Sequence, residues 1–256
     1  MGRELLAMET PDQNPPVSQH GSYAYARHSL PVRVMHWMNV VALTVLLMSG
    51  LQIFNAHPEL NWGKSSYTTA PPVLQLDDGF PSWATLPGSQ WLAMGRRWHF
   101  FFAWVFVVNG LLYVGYSVAS RHLSRDLAPD RADWRSIGRS ILDHLRFRHP
   151  HGEAARRYNV LQKLAYLFVI FVLLPFVILM GLAMSPRMDS ILPGWVDFFG
   201  GRQSARTLHF FAAAAIVLFA LIHVFEVIIT GLWNNVRSMI TGRYEIKVEA
   251  HSGEEG

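Results

Sequence analysis

The sequence predicts an all-α integral membrane protein, a four-helix bundle crossing the bilayer with a short amphipathic helix on its cytoplasmic side. Three observations carry this prediction. Apolar residues make up 51% of the 256-residue chain and charged ones only 16%, where a soluble domain has roughly a quarter. The missing charge is missing in blocks: segments 34–54, 98–120, 164–185 and 208–232 are almost uncharged, and each approaches the ~20 residues a helix needs to cross ~30 Å of hydrocarbon. Finally, sixteen of the 22 Lys and Arg residues lie in the N-terminal arm, the 121–158 connection with Lys163 just beyond it, and the C-terminal tail. Because cytoplasmic loops collect cations, both termini and the 121–158 connection are expected in the cytoplasm of a bacterial inner membrane.

Along the chain, residues 1–28 read as a loosely ordered cytoplasmic arm, 29–243 as the membrane domain and 244–256 as a cytoplasmic tail. The spans are expected at about 32–54, 98–120, 160–185 and 206–231. In "HSLPVRVMHW", Ser29 can cap the first helix and Pro31 suits its first turn. That span lacks a cleavage site after a short apolar core, so it is expected to be retained. Residues 55–97 form a long external connection, a length that usually marks function. In "DWRSIGRSILDHLRFR", Trp134, Ile137, Ile141, Leu142 and Leu145 recur at helical spacing among Arg135, Arg139, Arg146 and Arg148. This helix either lies on the membrane surface or packs on the end of the bundle. The basic balance (pI ≈ 9.6) follows from the uneven cations and from anionic lipid, with no call for nucleic acid.

The chain has no cysteine, which excludes disulfides, iron–sulfur ligation, thiolate zinc sites and covalent haem attachment. Metal chemistry must then rest on histidine or oxygen. Of twelve histidines, His20, His28, His57, His122, His144, His149, His151 and His251 lie outside the spans and read as solvated. His36, His99, His209 and His223 lie within them, where an ionisable group without a role is costly. His209 and His223 share one helix; fourteen residues place them about 40° apart around it and about 21 Å apart along it. Given the orientation above, His36 is level with His223 near the cytoplasm and His99 level with His209 near the outside. Two imidazoles from facing helices at each of two depths are what two b-type haems require.

A haem also needs space and charge partners. Gly50 and Gly110 fall near the depth of the haem that their own helix does not ligate, where a ring can press on the backbone; they serve equally as helix-contact glycines. Arg33, Arg96 and Arg97 lie within three residues of these histidines and can bind propionates, or can anchor the helices at the interface. A proton relay would favour intramembrane carboxylates, and only Glu226 qualifies; a zinc or copper site would gather its ligands at one depth. At the start of the third span, "RRYNVLQKLAY" brings Asn159, Gln162 and Lys163 to the cytoplasmic end. Amides can bind a quinone carbonyl, with Lys163 or Glu226 handling protons; a polar helix start snorkelling into headgroups is the alternative. "LPGSQWLAMGRRWHFF" before the second span and "LPGWVDFFGGRQSARTLHFF" before the fourth share a Pro-Gly turn, arginine and His-Phe-Phe.

The His-Trp opening the first span, histidine at the start of the second, "YNxxQK" at the third and His-x13-His in the fourth together resemble the four-helix dihaem cytochromes b. These comprise the bacterial cytochrome b561 group, the cytochrome subunits of Ni,Fe-hydrogenase and thiosulfate reductase, and the formate dehydrogenase gamma subunit. The resemblance covers roughly residues 28–243. It implies that His36 and His223 ligate a cytoplasmic-side haem, that His99 and His209 ligate an outer one, and that Asn159 and Gln162 stand beside a quinone. It implies electron transfer between the quinone pool and a periplasmic molybdopterin oxidoreductase or hydrogenase, with Trp62, Trp83, Trp91 and Trp195 as docking candidates that could instead belong to the aromatic belt. The third span lacks the histidines of stand-alone b561 proteins, which favours a subunit. The rivals are a stand-alone superoxide:quinone oxidoreductase and a non-haem anchor or transporter; a homodimer is left open.

Overall fold

The computed structural model describes residues 22–65, 70–88, 91–145, 159–192 and 194–247. Strand β1 (Ser22–Ala26) leads into helix α1 (Leu30–Phe54). The outer connection carries a two-stranded hairpin, β2 (Glu59–Leu60) and β3 (Leu74–Gln75), before helix α2 (Leu92–Ala119). Helix α3 (Arg131–Leu145) follows on the other side. The third span is α4 (Val160–Phe168), a π-turn at Val169–Leu173, and α5 (Leu174–Ala183). Short helices α6 (Pro186–Ile191) and α7 (Trp195–Phe198) return the chain to α8 (Arg202–Ile229), then α9 (Leu232–Thr241) and strand β4 (Arg243–Lys247).

Four helices are thus long and apolar enough to cross a membrane, as the hydropathy blocks predict. Pro31 sits in the first turn of α1, but Ser29 does not cap it through its side chain; its hydroxyl accepts from Tyr116 Oη at 3.0 Å. The π-turn has a local cause. Pro175 has no N–H to offer and its ring would strike the carbonyl four residues back, inside the widened turn.

The spans associate as two hairpins. α1 packs on α2 along its length, and α5 packs on α8 around Val169, Leu173 and Ala212 and, further out, Met180, Ala183 and Ala205. Without a hydrophobic drive between helices in lipid, close backbones and hydrogen bonds do this work. Buried Asn109 donates from Nδ2 to Met35 O (2.8 Å) and Asn39 Oδ1 (2.7 Å), and a Cβ on Gly95 would come within 2.8 Å of Gln52 Cγ. Between the hairpins runs a seam with few close backbone approaches among the described residues.

Each end of that seam is strapped. At one end Asn55 binds both backbone groups of Phe80 at 2.7 Å, which holds the long connection on α1. The same connection reaches α8: Thr207 Oγ1 donates to Asn61 O at 2.7 Å and Gly63 N to Ser204 Oγ at 2.8 Å. Gly201 has φ +100° and a Cβ there would lie 2.7 Å from Gly63 O, so only glycine allows this approach. On the opposite side β1 pairs with β4 in an antiparallel register running from Ser22↔Lys247 to Ala26↔Arg243. Trp37 Nε1 donates to Met239 O at 3.1 Å and Arg33 Nη1 to Ile240 O, joining α1 to α9.

The four-helix bundle is as the sequence predicts, and a short pair of strands, which the sequence reading did not anticipate, flanks it. Residues 22–28 belong to the folded unit, which extends to Lys247. A strand this short is stable only when paired, and its partner lies more than two hundred residues away. The rest of the arm and tail, residues 1–21 and 248–256, and the 146–158 connection with Arg146 and Arg148, lie outside the described residues. In α3, Trp134 (57%), Ile141 (45%) and Leu142 (45%) are exposed, while the helix also packs on α4, so it combines an unpartnered apolar face with a seat on the end of the bundle.

Candidate functional site

The four span histidines meet in two pairs across the seam. At the end of the seam expected to face outward, called the outer end, the ring centres of His99 (α2) and His209 (α8) are 6.1 Å apart. At the opposite end, expected to face the cytoplasm and so called the cytoplasmic end, those of His36 (α1) and His223 (α8) are 6.4 Å apart. Each pair joins one hairpin to the other, and no three His, Asp or Glu side chains gather at one point among the described residues.

The outer imidazoles are held from behind. His99 Nδ1 lies 3.1 Å from Leu46 O and 3.1 Å from Ser49 Oγ; His209 Nδ1 lies 2.8 Å from Val177 O. A carbonyl can only accept, so Nδ1 carries the proton and Nε2 keeps its lone pair for a metal. Beside each carbonyl a side chain is missing. A Cβ on Gly50 would sit 3.4 Å from His99 Cε1, and one on Gly181 would sit 3.4 Å from His209 Cε1. Both sockets therefore have one design, an accepting carbonyl followed four residues later by glycine: Leu46 with Gly50, and Val177 with Gly181. Four residues is one helical turn, so the bare backbone lies directly next to the carbonyl.

The cytoplasmic pair is framed by rings instead. Phe219 stacks on His223 (6.1 Å, 15°), Tyr166 meets it edge-on (6.2 Å, 71°), and Trp37 stands edge-on to His36 (5.4 Å, 88°). His36 Nδ1 is buried and has no hydrogen-bond partner in the structure.

The other predicted site residues divide. Gly50 lies at the depth of the outer pair, as its spacing from His36 predicts. A Cβ on Gly110 would meet no atom within 4 Å among the described residues. Arg33 is engaged with Ile240, its Nε buried and unpartnered. Arg96 and Arg97 are exposed, the former over the Phe100 ring at 5.7 Å. Arg206, which the sequence reading did not single out, donates to His57 O and lies over the Phe54 ring at 5.7 Å, one turn outward of His209.

At the start of α4, Asn159 and Gln162 form a capping box: Asn159 Oδ1 accepts from Leu161 N (3.1 Å) and Gln162 Oε1 from Asn159 N (3.2 Å). The cap uses the oxygens and leaves both NH2 groups out of it. Lys163 is committed elsewhere, in a 2.8 Å ion pair with Asp133 of α3, with side chains only 10% and 19% exposed. Glu226 has a buried Oε2 without a partner. One turn cytoplasmic of the Tyr166–His223 contact lies Gln162 on α4 and Glu226 on α8, which sets these two at one level. Of the docking candidates, Trp62, Trp83 and Trp91 are exposed at 52%, 81% and 54%; Trp195 instead packs on the Met180–Ala183–Ala205 cluster.

Leu46, Ser49, Val177 and Gly181 escaped the sequence reading. Their roles depend on which helix lies opposite, and nothing within one helix states that. Gly181 alone carried a signal, being a glycine at the outer depth of a span just as Gly50 is.

A haem iron suits this donor set. Metal–imidazole bonds of about 2 Å, with each ring centre roughly 1 Å behind its nitrogen, set bis-imidazole centres roughly 6 Å apart. Both pairs have that separation, the outer pair carries the proton on the nitrogen facing away, and the seam leaves the helices apart.

Comparison with known proteins agrees. The family model described as prokaryotic cytochrome b561 matches residues 27–242. A chain of Azospira oryzae that carries the name of a protein-methionine-sulfoxide reductase subunit, YedZ1, is 32% identical over 200 residues, covering 78% of this chain and 89% of that one. A chain of Cupriavidus necator that carries the name of a Ni/Fe-hydrogenase B-type cytochrome subunit is 28% identical over 232 residues, 84% of each. The family is one of membrane-integral helical bundles with b-type haem and electron-transfer duty, and this chain belongs to the prokaryotic cytochrome b561 family.

Proposed function

We propose that the chain is a dihaem b-type cytochrome subunit of the bacterial inner membrane, with cytoplasmic termini, exchanging electrons between quinone at its cytoplasmic end and a periplasmic redox protein over its outer end. The observation that carries this is the pairing of four imidazoles, two by two, at both ends of one seam. His36 and His223 would hold an inner haem, and His99 and His209 an outer one. A haem at each pair would supply one-electron redox chemistry. The protein fixes the imidazoles, excludes water and holds the two sites at fixed depth. Arg33 and Arg206 stand where propionates need cations, with Arg96 and Arg97 at the outer rim.

The cytoplasmic end supplies what a quinone requires. The NH2 groups of Asn159 and Gln162 donate to its carbonyl, and Glu226, level with Gln162, exchanges its protons. Lys163 contributes by fixing α3 against α4. Outside, the exposed indoles of Trp62, Trp83 and Trp91 offer a docking surface. The names of the two relatives, from a reductase and a hydrogenase complex, support a subunit role with a redox partner, for which a molybdopterin oxidoreductase or a hydrogenase is proposed.

The test follows from the capping box. Asn159→Asp and Gln162→Glu keep the oxygens that cap α4, and replace each NH2 donor by a carboxylate oxygen that can only accept. In purified protein, anaerobic reduction of the b-haem absorption by a quinol should slow at least about tenfold in the double variant, with an unchanged thermal midpoint. An unchanged rate rules out these amides as the quinone contact.

A further inference from the structure

The two histidine pairs are not equivalent donors. The outer rings give their Nδ1 protons to backbone acceptors. His99 has a second acceptor as well: the Ser49 hydroxyl spends its own proton on Val45 O (2.6 Å), which turns its lone pairs toward His99 Nδ1 at 3.1 Å. Ser49 is fully buried, so water does not compete. An imidazole whose N–H is strongly accepted gains anionic character and becomes a more basic ligand. A more basic axial ligand favours ferric over ferrous iron and lowers the reduction potential. On the other side His36 Nδ1 is buried and has no hydrogen-bond partner, and His223 is framed by the rings of Phe219 and Tyr166.

We infer that the outer haem has the lower potential of the two, set by the Leu46, Ser49 and Val177 acceptors, so that the internal gradient runs from the outer surface toward the cytoplasmic end. This rests on the dihaem reading above. Ser49 is a positioning residue, acting through His99.

The test is a spectroelectrochemical redox titration of the purified full-length protein, followed by low-spin ferric EPR signals. Wild type should titrate in two one-electron steps. His223→Ala, which removes an inner ligand, should leave a single haem titrating at the lower wild-type step. Ser49→Ala should shift the lower step upward and leave the higher one in place, while Ser49→Thr, which keeps the hydroxyl, should restore it. The inference is overturned if the His223→Ala haem titrates at the higher step, or if Ser49→Ala moves the higher step or neither. If Ser49→Ala does not accumulate, the His223→Ala result decides alone. A colourless or single-haem wild type would instead sink the dihaem reading itself, which two steps in reversed order would leave standing.

Discussion

The two histidine pairs face each other across the same seam at nearly the same separation, 6.1 and 6.4 Å, yet they are built on different principles. The outer pair is fixed by hydrogen bonds from behind, with glycines that let each imidazole reach a neighbouring helix. The inner pair is fixed by packing against Phe219, Tyr166 and Trp37 and by the clasp of β1, β4 and α9. Hydrogen bonds set direction and electronic character, whereas ring packing sets position and leaves electronic character alone. The difference matches the proposed duties of the two ends, since an inner site beside a quinone must admit a ligand and an outer site need only pass electrons.

The largest test of this contrast removes one ligand at a time. His209→Ala should halve the haem content by loss of the outer site, and His223→Ala should halve it by loss of the inner one, both read by pyridine haemochrome per chain. Loss of both haems from either change, in folded protein, would mean one coupled site. Next, the sockets can be filled. Gly181→Leu places a branched side chain where a Cβ already reaches contact with His209, so the outer haem should be depleted and the inner retained; Phe219→Ala should loosen the inner site and spare the outer spectrum. Equal effects of the two on both haems would erase the distinction.

A smaller effect concerns stability on the cytoplasmic side. Removing one partner of the Lys163–Asp133 ion pair leaves a nearly buried charge, a loss of about 3–5 kcal/mol. Asp133→Asn should therefore lower the thermal midpoint, and Lys163→Met combined with it should recover part of the loss. Neither should change the outer haem signal. The smallest effect is one of pH. Burial, with help from Arg27, His122, His36 and Arg33, pushes His28 down from 6.5 to about 4. The unfolded chain then takes up a proton between these values that the folded clasp refuses, so stability is full above 6.5 and declines as pH falls toward 4. His28→Asn should flatten the midpoint-versus-pH curve in that window.

Much of this was readable in the sequence, and the reason differs by feature. The spans follow from blocks of missing charge, and the two depths follow from helical rise, because both are properties of single segments. Gly50 was legible for the same reason. The carbonyl sockets were not, since Leu46 and Val177 are ordinary apolar residues whose backbone matters only once α2 and α8 lie opposite them. Lys163 was read as a handler of quinone protons, and its ion pair was not legible because Asp133 sits thirty residues earlier, across a connection. The β1–β4 clasp stayed hidden for the most physical reason: "SYAYA" and "RYEIK" each alternate as strands do, but neither is stable without the other.

The central claim is that two imidazole pairs each hold one haem. It is tested most directly by purifying the full chain, counting haem per polypeptide and recording the EPR spectrum of the oxidised form. Two haems per chain, both low-spin and bis-imidazole, is the predicted result. A single haem, a high-spin signal at either site or a colourless protein would contradict it.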